Sequence, residues 1–176
     1  MFAKIDNFVS DYEELKEFLL SNMKVTYQIG VEDQLRKVFL LSCASNHEKI
    51  IQDIIKTFID AHSDDECVLC FATNKAINRQ YHTYFTWDAN NINNFLGLFG
   101  SEFKMRVTEK ISKIPKMQSN IKAFLTLGNE RNMMVHEDYL SYQLEKTLDE
   151  IKVLNDDAML FISFLQERFL TPALDD

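Results

Sequence analysis

Three residues in the stretch GNERNMMVHEDY, running from Gly128 to Tyr139, have the types and spacing to do chemistry: Arg131, Asn132 and His136. A histidine with an unperturbed pKa near ~6.5 can take a proton from one oxygen and return it to another at neutral pH. An arginine keeps its charge and can stabilise charge developing on a phosphate, while an amide beside it can hold it in orientation. The set suits metal-free cleavage of RNA, with the histidine acting on the 2'-hydroxyl or the leaving oxygen.

A helical wheel at ~100° per residue with Ile121 at zero places Phe124, Leu125, Gly128, Val135 and Tyr139 within about 60° of it, the predicted core face. Asn132 falls inside that face at about 20°, whereas Arg131 at about 280° and His136 at about 60° lie on its edges. Met133 and Met134, at about 120° and 220°, fall off it and suit an adaptable contact surface. An isolated Asn or His on an apolar face is ordinarily a satisfied core polar group. Here three polar residues cluster, and a half-buried guanidinium requires an anion: Glu48, Glu130, Glu137 or a ligand phosphate. Asn132 needs partners at both ends of its amide, since a bare one costs about 1–3 kcal/mol, and His136 one turn on is its natural neighbour.

Other constellations read as structure. CVLC (67–70) with His62 and His82 has the elements of a zinc site, but a CxxC flanked by Val, Leu and Phe on a helix reads as buried structural thiols. SDDE (63–66) reads as a helix cap and not as a magnesium site. The absence of a glycine-rich phosphate loop leaves an NTPase or dinucleotide enzyme unsupported, and neither metal nor cofactor is expected. Phe8, Phe18 and Phe124 follow the apolar period of their helices and read as core, not as base-stacking platforms. Between Lys104 and Lys122 lie Lys104, Arg106, Lys110, Lys113, Lys116 and Lys122 against one acid, Glu109, a net +5 that leaves −13 for the rest of a chain of net charge −8. That segment runs into the motif and offers a track for RNA phosphates, or simply a solvated lysine face.

The elements that must position these residues are helices. With 176 residues, 46% of them hydrophobic, the chain suffices for a single domain, 1–176, with its own core. Only four Gly and two Pro disfavour a fold of many short strands. Apolar residues recur at helical spacing in 5–23, in a long segment 31–61 with polar SNHE at its centre, and from Cys67 through Phe85 after the HSDDE cap. Asp88 reads as the next N-cap, Gly97 and Gly100 as stops, and a helix of 101–114 ends at Pro115. The motif helix spans about 118–136, and Ser141 caps a last helix through Leu170. The expected fold is an all-α bundle of six or seven helices. No apolar run approaches the ~18 residues of a membrane span, and MFAKIDNF lacks the core of a signal peptide, so the protein reads as cytoplasmic with three reduced cysteines.

RNMMVH resembles the R-N-x-x-x-H signature of HEPN domains (higher eukaryotes and prokaryotes nucleotide-binding), all-helical bundles many of which are RNases of toxin, abortive-infection and antiviral systems. As in that family, the motif lies late in the chain and one long helix follows. LLSCASNHEKIIQDII resembles the family's earlier helix, where an acidic residue faces the motif, and NNINNFLGLFG resembles its RiboL-PSP branch. The resemblance implies Arg131 and His136 as catalytic pair, Asn132 as orienting neighbour and Glu48 as partner of the arginine. It also implies no metal, an RNA substrate, a homodimer with the two motifs meeting at the interface, and an antitoxin or defence-system partner protein. Some toxin members carry a tyrosine two residues after the histidine that a partner nucleotidyltransferase modifies. Here Tyr139 comes three after and reads as core. Some members have lost catalysis, so a non-catalytic dimerisation or RNA- or nucleotide-binding module is the alternative.

Overall fold

Helix α2, Val25–His62, is the axis of the computed structural model, which describes residues 2–78 and 80–170. Lys37, Leu40, Ala44, His47, Ile51 and Ile54 are buried along it at alternating three- and four-residue intervals, so a single stripe runs down the helix. The polar SNHE does not interrupt that stripe, because Ala44 and His47 fall on it while Ser45 faces solvent. The helix begins at Val25 and not at the expected 31, continuing through Gly30. Its first turns are steadied by α1, Phe2–Ser21, whose Tyr12 hydroxyl donates to Glu32 at 2.7 Å and whose Phe8 stacks on Phe39 at 5.3 Å. Because α1 packs chiefly on α2, its outer face is left largely uncovered by the other described helices. Phe18, expected in the core, is exposed.

Beyond α2 the chain departs from the single helix expected over 67–85. Asp65 does cap α3, Glu66–Ala72, accepting from the Cys67 N–H at 2.8 Å. Yet α3 is short, with no residue buried, so Cys67 and Cys70 are exposed thiols and not buried ones. A wide π-turn at Thr73–Ile77, closed by the Asn78 N–H on the Thr73 carbonyl at 2.8 Å, then redirects the chain into α4, Tyr81–Tyr84. Position 79 lies outside the described residues. The redirection takes Ile77, Tyr81, Tyr84 and Phe85 into the core, which a straight continuation of an outer helix would not do. Helix α5, Asn93–Gly97, is not capped by Asp88: Ile92 occupies the cap position, and the turn before it is tied by Asn91 accepting from the Asn93 N–H at 3.0 Å.

Gly97 ends α5, and Gly100 turns the chain with φ +96°, a conformation that costs glycine little, into α6, Ser101–Lys113. The motif helix α7, Met117–His136, and α8, Leu148–Leu170, form the most extensive pairing of the bundle, and α2 packs against both. Ser141 does not cap α8. The residues after α7 are drawn against α2 first, with Lys37 donating to the Tyr139 carbonyl at 3.3 Å and Arg36 to the Lys146 carbonyl at 3.1 Å. The helix starts at a capping box instead: the Thr147 hydroxyl accepts from the Glu150 N–H at 3.2 Å, and Glu150 accepts from the Thr147 N–H at 2.8 Å.

The architecture is therefore the all-α bundle expected, with α1, α2, α6, α7 and α8 as its long members and α3, α4 and α5 as short ones around one contiguous apolar cluster. No helix among the described residues is long and apolar enough to cross a membrane.

Candidate functional site

Nine residues of α7 are buried: Met117, Asn120, Ile121, Ala123, Phe124, Leu125, Leu127, Gly128 and Met134. On the same wheel they occupy an arc centred near about 290°, since α7 has neighbours on more than one side. This recentring corrects the sequence reading. Arg131, at about 280°, projects from the middle of the packed face and not from its edge. Met134 is fully buried, and Val135, at the end of the helix where the packing gives out, is 52% exposed.

Arg131 donates from Nη1 to Asn132 Oδ1 at 3.0 Å, and its Nη2 lies 4.0 Å from Glu48 Oε2 on α2. Both side chains of that ion pair are 32% exposed, so the guanidinium is braced from within and open to solvent on one side. Gln52, one turn along α2, donates to the other Glu48 oxygen at 3.3 Å and steadies the carboxylate. The other two acids considered as partners are accounted for. Glu130 accepts from Tyr142 at 2.7 Å and from Lys146 at 2.5 Å, while Glu137 is exposed just past the end of α7. The amide of Asn132 thus serves the arginine and not His136. The histidine is the last residue of α7, exposed, with no hydrogen bond or ion pair among the described residues. Five residues of helix separate it from Arg131, about 7.5 Å along the axis and about 140° around it.

Residues that the sequence reading did not single out line the recess at the foot of Arg131. Tyr81 and Trp87, from α4 and the chain after it, wall a cavity of about 10 Å³ together with His47, Gly128 and Asn132. That holds about one water and excludes a nucleobase, so a larger ligand could meet the arginine only at the mouth. Trp87 reaches this position because Gly128 has no side chain: a Cβ there would come within 2.0 Å of the indole ring. The indole N–H donates to the His82 carbonyl at 3.0 Å. His47 is buried with its Nε2 3.0 Å from Asn155 Oδ1 on α8, and burial, opposed by that hydrogen bond, lowers its pKa from 6.5 to about 4. The signal for it was present in the sequence, one residue before Glu48 and in step with Leu40, Ala44 and Ile51. Trp87 is the only tryptophan of the chain, but nothing in the sequence points it at Gly128.

Tyr139 is half-buried, its ring 5.6 Å from the Lys37 ammonium. Arg106, Lys110 and Lys113 on α6, and Lys116 and Lys122 near the start of α7, are exposed, and Lys104 is half-buried. From Lys116 to Arg131 is about 22 Å along α7, so an RNA touching both must extend over several nucleotides. No group of three or more His, Cys, Asp or Glu among the described residues is arranged to hold a metal, and His62 instead donates from Nδ1 to the Phe58 carbonyl at 2.7 Å.

Compared with known proteins, residues 6–171 match the family model described as RiboL-PSP-HEPN. No curated protein and no solved structure matches the chain.

Proposed function

The chain belongs to the HEPN family, in its RiboL-PSP branch, and from that membership and the setting of Arg131 we propose that it is a metal-independent endoribonuclease of a toxin, abortive-infection or other defence system. The family itself suggests a nuclease or RNA-binding role. The observation that carries the finer reading is the loose hold on the guanidinium: one hydrogen bond to Asn132 and a 4.0 Å pairing with Glu48. A pair as exposed as this one contributes about 0–1 kcal/mol, so a phosphate can take the place of Glu48 at little cost. Arginine's planar fork then grips two phosphate oxygens.

In the reaction assigned here, Arg131 holds the non-bridging oxygens of the scissile phosphate and Asn132 fixes its orientation. His136 takes the 2'-hydroxyl proton as the 2'-oxygen attacks phosphorus. The bond to the 5'-oxygen breaks, and a protonated histidine supplies that oxygen's proton. The products carry 2',3'-cyclic phosphate and 5'-hydroxyl ends. The solvent position of His136, well away from its own Arg131, favours a histidine supplied by a second copy of the chain. The same position also supports the second reading, a non-catalytic dimerisation or RNA- or nucleotide-binding module. An antitoxin or other defence-system protein would control the activity.

Incubation with RNA in a chelator, followed by mapping of the ends, tests the proposal. Cleavage leaving cyclic phosphates is expected, and His136→Ala should abolish it while still binding RNA. Activity that vanishes on chelation, or persists undiminished in His136→Ala, overturns the mechanism; binding without cleavage favours the second reading.

A further inference from the structure

Tyr81 is the aromatic wall of the Arg131 recess and has a donor to spare. Its ring is fixed by Tyr84, Phe85 and Trp87, with centroids 6.2, 5.9 and 5.5 Å away, and the residue is only 8% exposed. Tyr12, Tyr84 and Tyr142 each give their hydroxyl hydrogen to a protein acceptor. The Tyr81 hydroxyl has no such partner among the described residues, yet it is not one of the sealed polar atoms without one, so the oxygen is not fully shut off from solvent. The charges acting on it are the Glu48 carboxylate and the Arg131 guanidinium. Burial first, then Glu48, push the phenol above its usual range and Arg131 opposes them, which leaves it protonated at any physiological pH.

A packed ring whose one polar atom gives its hydrogen to no protein acceptor among the described residues leaves that donor available to a ligand. We propose that Tyr81 is an anion-binding residue of this site: its hydroxyl donates to an oxygen of the phosphate group that Arg131 pairs with once that group displaces Glu48. A neutral donor adds a hydrogen bond at the mouth without adding a charge that would itself need neutralising in the free protein. The packed ring favours one position for that bond, since Trp87, seated on Gly128, and Phe85 lie against it.

This inference rests on Arg131 being a phosphate ligand, and the experiment separates the two. A 2'-O-methyl RNA hexamer, which cannot be cleaved, is titrated into ¹⁵N-labelled protein while the Nε–H resonance of Arg131, assigned by Arg131→Lys, is followed. Wild type should show a saturable shift of that resonance. Tyr81→Phe, which removes one oxygen and keeps the ring, should bind about tenfold more weakly with the same melting temperature, as expected for a lost hydrogen bond to a charged group. Equal affinity in Tyr81→Phe, with Arg131→Lys weakened, overturns the role of Tyr81 and leaves the phosphate reading standing. A lowered melting temperature with unchanged affinity of the folded protein assigns Tyr81 a structural role and overturns it too. No shift of Arg131 in wild type overturns both, whereas Tyr81-dependent binding without cleavage of ordinary RNA upholds the inference and counts against the nuclease.

Discussion

His47 shows at the scale of one residue what placing a polar group in this core costs. Its Nε2 faces the Asn155 carbonyl oxygen, so the neutral ring carries its proton there, while the Asn155 Nδ2 is buried without a partner. A folded-state pKa of about 4 against 6.5 means that between those values the unfolded chain binds a proton the folded chain refuses. Stability from this residue is thus present in full above pH 6.5 and is lost as the pH falls toward 4, by on the order of 3 kcal/mol in all. Urea unfolding of wild type and His47→Gln across that interval should show the steeper loss in wild type. Parallel curves would remove His47 as the cause.

Among the elements, α8 and α6 make separate predictions. Thr147 and Glu150 satisfy each other's backbone N–H groups at the start of α8, the helix that pairs most fully with α7. Thr147→Ala should therefore cost about 0.5–2 kcal/mol, seen as a lowered urea midpoint with an unchanged slope, whereas Ser141→Ala should be close to neutral. The reverse ranking would restore Ser141 as the cap. On α6, Lys110 and Lys113 are exposed, and Lys113 pairs with Glu109 at 2.6 Å without touching the core. If RNA runs from the motif toward this helix, charge reversal at both lysines should weaken binding and flatten its dependence on salt while the fold survives. An unchanged salt slope would make the lysines a solvated face.

For the whole molecule, the separation of Arg131 and His136 decides the oligomeric expectation. One scissile phosphate is hard to grip from positions about 140° apart on a single helix, whereas a two-fold axis beside the last turns of α7 brings one chain's arginine toward its partner's histidine. Met133 and Val135, both exposed there, and Leu140, 73% exposed just beyond, supply apolar surface for such a contact. Arg131→Ala and His136→Ala, each inactive alone, should recover part of the activity when refolded together, since the heterodimer holds one intact pair. Proven heterodimer without recovery, or a monomer by sedimentation at micromolar concentration, would defeat the shared site.

Periodicity, charge and one six-residue motif determined the helical class, the RNMMVH helix and its family, because amphipathic helices announce themselves locally and a motif needs no tertiary context. The same local signals misplaced what depends on neighbours. Cys67 and Cys70 look like core until α3 is found lying outside the bundle, and Met134 looks like surface until α7 is found packed on more than one side. The Thr147–Glu150 box is legible in the sequence, whereas Ser141, the expected cap, lies in a segment drawn against Lys37 and Arg36. The resemblance already points to Glu48 as the acid beside Arg131, but only the tertiary structure could bring Tyr81 and Trp87 to the same recess. Their elements are distant in sequence from α7, and what joins them to it is the fit of Trp87 into the space that Gly128 leaves there.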